Sequence, residues 1–156
     1  KIGHHLKYDT HVLSHHGIRV QGWIFDTMLA SYVLNTTATR HGLGDLALHY
    51  LQRSSTSFED VAGKGAKQLT FNQVTLEKAA PYACEDADLT WQLYELLTTK
   101  LAEHPVLARL LTDLELPVAQ ILETMESHGI ALDIDFLNGL GKRFGEEMLA
   151  IEARAH

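Results

Sequence analysis

The residues from Pro81 to about Ala102 restrict the fold most, because they predict one long amphipathic helix. At about 100° per residue, its apolar face consists of Tyr82, Leu89, Leu93, Leu96 and Leu97. The opposite face carries Glu85, Asp88, Gln92, Glu95 and Thr99, the residue types expected where a helix meets water. We therefore treat this helix as the element around which the rest of the chain is organised.

Asp86 is the exception on this helix, since it lies near the middle of the apolar face. An unpaired buried carboxylate costs several kcal/mol or more, so the group must be protonated, paired with a cation or open to a cleft. Tyr82 precedes Asp86 by four residues, and the phenol and the carboxylate therefore project from the same face. Taken alone, Asp86 fits a functional acid and a structural acid bonded to backbone or to arginine about equally well.

The composition excludes several classes of protein. A chain of 156 residues with 46% hydrophobic and 21% charged residues is typical of a globular protein with a real core. No apolar run approaches the roughly 20 residues of a membrane span, so no membrane partner is predicted. The net charge of −7 argues against a broadly basic nucleic-acid surface, but it is compatible with a local basic strip or an acidic metal pocket.

The cysteine and histidine content argues against soft metal sites. Cys84 is the only cysteine, which excludes an intrachain disulfide and a thiolate zinc site and fits a reducing cytoplasm. The adjacent pairs His4–His5 and His15–His16 point apart on a helix or strand and cannot chelate jointly. The sequence therefore predicts no histidine metal site.

Strand and helix patterns alternate in the first part of the chain. Residues 1–4 indicate the end of a strand, and residues 7–16 a helix that ends at Gly17. Residues 18–20 alternate like a short strand, and residues 23–25 continue as a buried run. Asp26 then caps a helix that reaches about residue 35. This alternation predicts an α/β layer rather than a helical bundle.

Later segments are predicted to be mainly helical. A helix opens at Gly44 or Asp45, residues 52–74 are loop-like, and a short turn over 75–80 stops at Pro81, which suits the first position of a new helix.

The last third of the chain differs in composition. A long helix is predicted over 105–128, with a kink or break at Pro117. Gly129 ends it, and Asp133 caps a final helix. We place a boundary near His104, which gives two parts, 1–104 and 105–156.

Asp9 is a second acid on an apolar helix face, which it shares with Val12, Leu13 and His16. It lies in the first helical turn, where the helix dipole helps to keep it ionised. A partner of the helix dipole is therefore the simpler interpretation of Asp9 alone.

Taken together, Leu6-Lys7-Tyr8-Asp9 and Tyr82-x3-Asp86 resemble two motifs of the bacterial DNA polymerase I family, the family A DNA polymerases. In that family the second exonuclease motif is Asn-x2–3-Tyr/Phe-Asp and the third is Tyr-x3-Asp. Residues 24–29, 58–65 and 69–73 are also similar to the family, and residues 125–133 resemble its first thumb segments. The resemblance spans essentially the whole chain.

This resemblance implies an RNase H-like α/β 3′–5′ exonuclease fold that lacks its N-terminal strands and is followed by long thumb-type helices. It implies hydrolysis of the 3′-terminal phosphodiester of DNA with two Mg²⁺ or Mn²⁺ ions, coupled in the parent protein to template-directed synthesis. Asp86 would be a metal ligand, Asp9 a ligand or a support for one, and Tyr82 would orient the attacking water. Both acids must then meet in one cleft.

The resemblance also implies contacts with the single-stranded 3′ end, which would be released as a nucleotide monophosphate. His5, Tyr8 and Arg40 occupy positions that the family uses for this purpose. If the resemblance to the family is set aside, a surface salt bridge is an equally good interpretation of Arg40. His5 stands where the motif usually has Asn, so the side-chain contact made there is expected to change.

The first exonuclease motif, a strand carrying Asp-x-Glu, is absent from this sequence and is expected upstream of Lys1. We therefore expect the chain to be a fragment with little or no nuclease activity alone. Two other functions stay open: an exonuclease-fold scaffold without catalysis, and an RNase D-like 3′–5′ ribonuclease. The Gly129–Asp133 segment and the helix after it resemble a polymerase thumb and argue against the ribonuclease.

Overall fold

Two short strands and a larger set of helices are seen in the computed structural model, which describes residues 1–155. In chain order they are β1 (Ile2–Gly3), α1 (Leu6–Ser14), β2 (Phe25–Asp26), α2 (Thr27–Leu34), α3 (Leu43–Leu46), α4 (Phe58–Ala62), α5 (Leu76–Ala102), α6 (Pro105–Leu110), α7 (Leu116–His128) and α8 (Ile134–Ala155). Single π-helical turns extend α3 over Ala47–Leu51 and join α6 to α7 over Leu111–Glu115. Short 3₁₀ turns occupy Gly65–Lys67 and Phe71–Gln73.

The strands β1 and β2 are parallel, with Ile2 opposite Phe25 and Gly3 opposite Asp26. Helix α1 makes the crossover between them, as parallel pairing requires. The predicted α/β layer is therefore confirmed, although the described chain is mostly helical. The extended run predicted before Phe25 was wrong as a buried strand, because β1 offers partners to only two residues and Ile24 is 58% exposed.

Asp26 joins the two ends of this unit. It is 2% exposed, and its Oδ1 accepts hydrogen bonds from the backbone N–H groups of Met28 and Leu29, which confirms the predicted cap of α2. The same carboxylate also accepts from the N–H groups of His5, at 3.1 Å, and Leu6, at 2.7 Å. One side chain thus satisfies the first turns of both α1 and α2.

The core forms around α5, as the apolar face of this helix predicts. Leu93, Leu97 and Leu101 pack with Phe25 of β2 and with four further buried side chains. Those four are Ala30, Leu46, Leu111 and Leu116. Because two of them follow His104, the segment after the proposed boundary packs onto the first part of the chain, and the boundary itself stays a prediction.

Pro81 does not begin a new helix, and this prediction was wrong. Helix α5 starts at Leu76 and continues through Pro81. The proline lies within the second turn, so the helix loses only the hydrogen bond to the carbonyl of Glu77 and tolerates the ring there.

Pro117 produces the irregularity that the sequence predicts. The π-helical turn Leu111–Glu115 immediately precedes it and connects α6 to α7 without a loop. A turn of this kind accommodates the missing N–H donor and the bulk of the ring. Gly129 then ends α7 with a φ of 67°, and Asp133 caps α8 by accepting from the N–H of Phe136.

Leu97 provides a direct measure of what the core around α5 contributes. Its side chain is 0% exposed, and we expect Leu97→Ala to lower the free energy of unfolding by about 3 kcal/mol, through lost burial and the cavity left behind. Urea denaturation followed by circular dichroism measures this change. In the control Leu76→Ala, the side chain is 75% exposed on the same helix, and the loss should stay below about 0.5 kcal/mol. Equal losses in both variants would contradict the assigned core.

Candidate functional site

Asp9 and Asp86 line one cleft, although they come from different helices. The cleft has a volume of about 340 Å³ and lies where α5 passes β1 and the start of α1. Its walls are formed by Ile2, Gly3, His4, Asp9, Leu43, Asp86, Ala87, Thr90 and Trp91. We call it the acid cleft. It is the arrangement that the interpretation of the two motifs requires.

Both carboxyl groups are easier to protonate than ordinary aspartates. Desolvation raises the pKa of Asp86, and a hydrogen bond from the Tyr82 phenol acts in the opposite direction. Desolvation also raises the pKa of Asp9, while the nearby imidazole of His5 lowers it and the charge of Asp26 raises it. A cation between these acids would relieve the cost of their negative charge.

Tyr82 lies one helical turn before Asp86 and is fixed by aromatic neighbours. Its ring centroid lies 5.9 Å from that of Phe71, which in turn lies 6.2 Å from that of Phe58. Desolvation and the charge of Asp86 raise the pKa of the phenol, so the hydroxyl stays protonated at neutral pH as a donor for the carboxylate one helical turn later. The donated proton leaves the phenol oxygen free to accept a hydrogen bond from a third group.

Three residues were predicted to contact the single-stranded 3′ end, and they lie outside the walls of the acid cleft: His5, Tyr8 and Arg40. The imidazole of His5 lies 5.8 Å from the ring of Tyr8, centroid to centroid, and Tyr8 is 63% exposed immediately before Asp9. His5 has a φ of 63°, in the left-handed region, where its N–H reaches Asp26. Arg40 is exposed in the loop before α3 and forms no ion pair within residues 1–155.

Three polar or aromatic residues of the cleft wall were not predicted from the sequence: His4, Thr90 and Trp91. Trp91 is 52% exposed and lies off the apolar face of α5, and a large aromatic residue in such a position was the available signal. His4 is held by a contact of 2.9 Å between its Nδ1 and Thr27 Oγ1. Nothing in the sequence distinguishes it from its neighbour His5.

His11 and His15 are four residues apart at the end of α1. This spacing was not considered in the sequence-based prediction of histidine metal sites, which used only adjacent pairs. The rings of His11 and His15 lie 4.6 Å apart, centroid to centroid, in an edge-to-face arrangement. His11 Nδ1 also lies 3.1 Å from Ser127 Oγ on α7. The spacing was visible in the sequence, but among residues 1–155 no third histidine, cysteine or acid joins this pair in a group able to hold a metal ion.

The acid cleft offers oxygen donors of the kind that hard divalent cations prefer. Asp9 and Asp86 supply two carboxylates, of which Asp86 is half-buried and Asp9 is exposed to solvent. Within the described part of the chain, no group of three or more candidate ligands could hold a metal ion. The donor set therefore fits Mg²⁺ or Mn²⁺ in the type of its ligands but has too few of them.

None of the described helices is long and apolar enough to span a membrane.

His4 should make the stability of the protein depend on pH. Burial lowers its pKa from 6.5 to about 4, against the opposing charge of Asp26. Between these values the unfolded chain binds a proton that the folded chain excludes, so stability falls as the pH drops from 6.5 towards 4. Over this pH range we expect the free energy of unfolding to fall by roughly 2–3 kcal/mol more in the wild-type protein than in the His4→Gln variant. Urea titrations at both pH values measure it.

Comparing the wild-type protein with His4→Gln separates the contribution of the histidine to the pH dependence of stability from that of the two acids. Asp9 and Asp86 have raised pKa values, so their contribution to stability increases as the pH falls, but it does so equally in both proteins. The difference between the proteins therefore reports His4. Parallel pH profiles would show that His4 titrates normally.

The sequence and the structure were compared with known proteins. Residues 1–102 match the model of a family described as 3′-5′ exonuclease. Over its whole length the chain is 49% identical to a DNA polymerase I of Pseudomonas aeruginosa and 40% identical to one of Chloroflexus aurantiacus. It covers 17% and 16% of these proteins, so it spans about a sixth of their length.

One solved structure is similar in both fold and sequence. It is described as the POL domain of Pol1 from M. smegmatis in complex with DNA primer-template and dNTP. The TM-score is 0.66 at 30% sequence identity, over 94% of this chain and 22% of that chain.

Proposed function

Because this chain belongs to the DNA polymerase I family, whose 3′–5′ exonuclease model matches residues 1–102, we propose that it forms part of a proofreading exonuclease. The reaction is hydrolysis of the 3′-terminal phosphodiester of DNA, and the proposed fold is RNase H-like. The observation that supports this proposal is that Asp9 and Asp86 line one cleft, with Tyr82 one helical turn before Asp86 on α5.

In this proposal Asp9 and Asp86 hold divalent ions, Mg²⁺ or Mn²⁺, two in the complete site. Such ions would stabilise the charge on the attacking and leaving oxygens and lower the pKa of the attacking water. Tyr82 would position that water: with its hydroxyl directed at Asp86, its oxygen would accept from the water and direct a lone pair of the water at phosphorus. The Phe58–Phe71 pair keeps the phenol from turning away.

The residues beside α1 would hold the end of the strand. Tyr8 presents an exposed ring and His5 packs against it, which suits stacking on a frayed nucleotide. Arg40 has an exposed guanidinium for a phosphate. The product would be a nucleoside monophosphate. The partners would be the single-stranded 3′ end of DNA and the remainder of a polymerase chain in the bacterial cytoplasm.

A second candidate function is a scaffold that keeps the exonuclease fold without catalysis. It is favoured by the finding that residues 1–155 bring only two acids together in the acid cleft. The presence of both acids with Tyr82 favours catalysis, since a scaffold needs none of them. Acids supplied by a further strand would complete the site and decide between the two functions.

The test compares two polypeptides on 5′-labelled single-stranded DNA in Mg²⁺. The 156-residue chain alone should show little or no hydrolysis, whereas a polypeptide extended at its amino end by the Asp-x-Glu strand should release monophosphates from the 3′ end. Vigorous degradation by the 156-residue chain that is abolished in Asp86→Ala would show that its site is already complete. Binding without hydrolysis by the extended polypeptide would favour the scaffold. Parallel assays on RNA test the preference for DNA.

A further inference from the structure

A second cleft lies on another side of α1, between α1, residues 18–23 and α7. Its volume is about 460 Å³, within the range of small-molecule sites. Thr10 follows Asp9 in the chain but lines this cleft rather than the acid cleft. We call it the α1–α7 cleft. None of the roles proposed above uses it.

Thr10 contains an unsatisfied polar group at the α1 side of this cleft. The residue is 9% exposed, and its Oγ1 is buried without a hydrogen-bond partner among residues 1–155. A buried hydroxyl in this state costs about 1–3 kcal/mol. The hydroxyl oxygen is closed to water, so it is an uncompensated polar atom beside the cleft and not a contact offered to a ligand.

The segment between α1 and β2 supplies a cation and an aromatic ring to the same cleft. Arg19 is exposed and belongs to none of the ion pairs within the described chain. Trp23 is half-buried, and its indole packs against no other aromatic ring of residues 1–155. A guanidinium binds phosphate through paired N–H groups, and an indole face stacks on a flat heterocycle.

Helix α7 supplies the opposite wall and hydrogen-bonding groups. The Glu123 carboxylate accepts from Ser127 Oγ at 2.8 Å, and Ser127 Oγ in turn lies 3.1 Å from His11 Nδ1 on α1. An ion pair of 2.5 Å between Lys7 and Glu126 also joins the two helices. The wall is therefore held in place, and its carboxylate can accept from the N–H groups of a base.

We propose that the α1–α7 cleft binds one nucleotide, with its phosphate on Arg19 and its base on Trp23. Either a free nucleoside monophosphate or one unit of a single strand carries this chemistry. The choice of a nucleotide over other flat anions rests on the proposed function. The binding itself requires neither hydrolysis nor a divalent ion, since no residue of the acid cleft takes part.

The experiment follows the indole N–H signals of Trp23 and Trp91 by NMR in EDTA. The 156-residue chain is titrated with dGMP, deoxyguanosine, inorganic phosphate and a single-stranded tetranucleotide. Because the two tryptophans line different clefts, their signals report the two clefts separately. We expect dGMP or the tetranucleotide to shift the Trp23 signal, and the tighter of the two identifies the source of the nucleotide.

Matched variants test which residues bind. Arg19→Ala should weaken dGMP binding at least about tenfold, because a charge-assisted contact is lost. Arg109→Ala removes an arginine that is paired with Asp113 elsewhere on the surface and should change binding less than about twofold. Thr10→Val should change binding less than about twofold and keep or raise the stability of the fold, because it removes a buried unsatisfied hydroxyl and no contact to the ligand.

Several results would overturn the proposal. They are no Trp23 shift up to about 10 mM ligand, a shift confined to Trp91, equal effects of Arg19→Ala and Arg109→Ala, or phosphate binding as tightly as dGMP. Because none of these measurements involves hydrolysis, failure here leaves the exonuclease proposal untouched. Failure of the hydrolysis assay likewise leaves this site standing as a binding site.

Discussion

Replacing Asp86 by alanine in the extended polypeptide that we propose to be an exonuclease is expected to lower the rate of 3′-terminal hydrolysis at least about a thousandfold. The substitution removes one of the two carboxylates of the acid cleft and also the acceptor that orients the Tyr82 phenol. A loss of about 4 kcal/mol of transition-state stabilisation, the scale expected when a site can no longer hold its ions, corresponds to this factor. Single-turnover release of labelled monophosphate measures it.

Asp88→Ala is the matched control, since it removes the carboxylate of another aspartate, two residues further along α5. Asp88 accepts from Gln92 Nε2 at 2.7 Å and from Arg53 Nη1 at 3.2 Å, on the solvent side of the helix. Hydrolysis should stay within about twofold of the wild-type rate, because an exposed pair of this kind contributes little. Comparable losses in the two variants would mean that Asp86 acts through the stability of α5 and not in the cleft.

Replacing Asp26 by alanine is expected to lower the free energy of unfolding by about 4 kcal/mol. The carboxylate is 2% exposed and accepts from four backbone N–H groups, those of His5, Leu6, Met28 and Leu29. Alanine would leave the donors at the starts of both α1 and α2 without a partner. Urea denaturation of the 156-residue chain measures the loss.

Two further variants limit the interpretation of this loss. Asp133→Ala removes an exposed cap that accepts only from the N–H of Phe136, and it should cost about 1 kcal/mol or less. Asp26→Asn keeps one acceptor oxygen and should lie between the two. If Asp26→Ala costs no more than Asp133→Ala, then Asp26 is an ordinary cap and does not join α1 to α2.

The local structure of the chain was readable from its sequence because local signals dominate there. The apolar face of α5, the cap at Asp26, the stop at Gly129 and the irregular turn before Pro117 follow from spacing and backbone chemistry. Pro81 shows the limit of such reasoning. A proline within the second turn weakens a helix locally, but whether the helix ends there depends on how much of its face is buried elsewhere.

The predicted roles of the site residues differ in how much tertiary structure they needed. Tyr82 and Asp86 are one helical turn apart, so their pairing follows from helix geometry alone. The cleft walls contributed by His4 and Trp91 were not predictable, because no local pattern says which side chains of β1 and α5 approach each other. Arg40 lies in a loop outside the described walls of the cleft, and its role stays a prediction.

By itself the sequence determined most of the helices, several of their caps and the resemblance to an exonuclease, since each depends on residues a few positions apart. It did not predict α4, which lies in the stretch expected to be loop-like, or the start of α5 before Pro81. Only the tertiary structure decided that Asp9 and Asp86 share a cleft, that Asp26 joins two helices, and that Thr10 and Arg19 line a second cleft. The physical reason is that these groups meet only after the parallel pairing of β1 with β2 sets the position of α1 and α5 buries its apolar face against them.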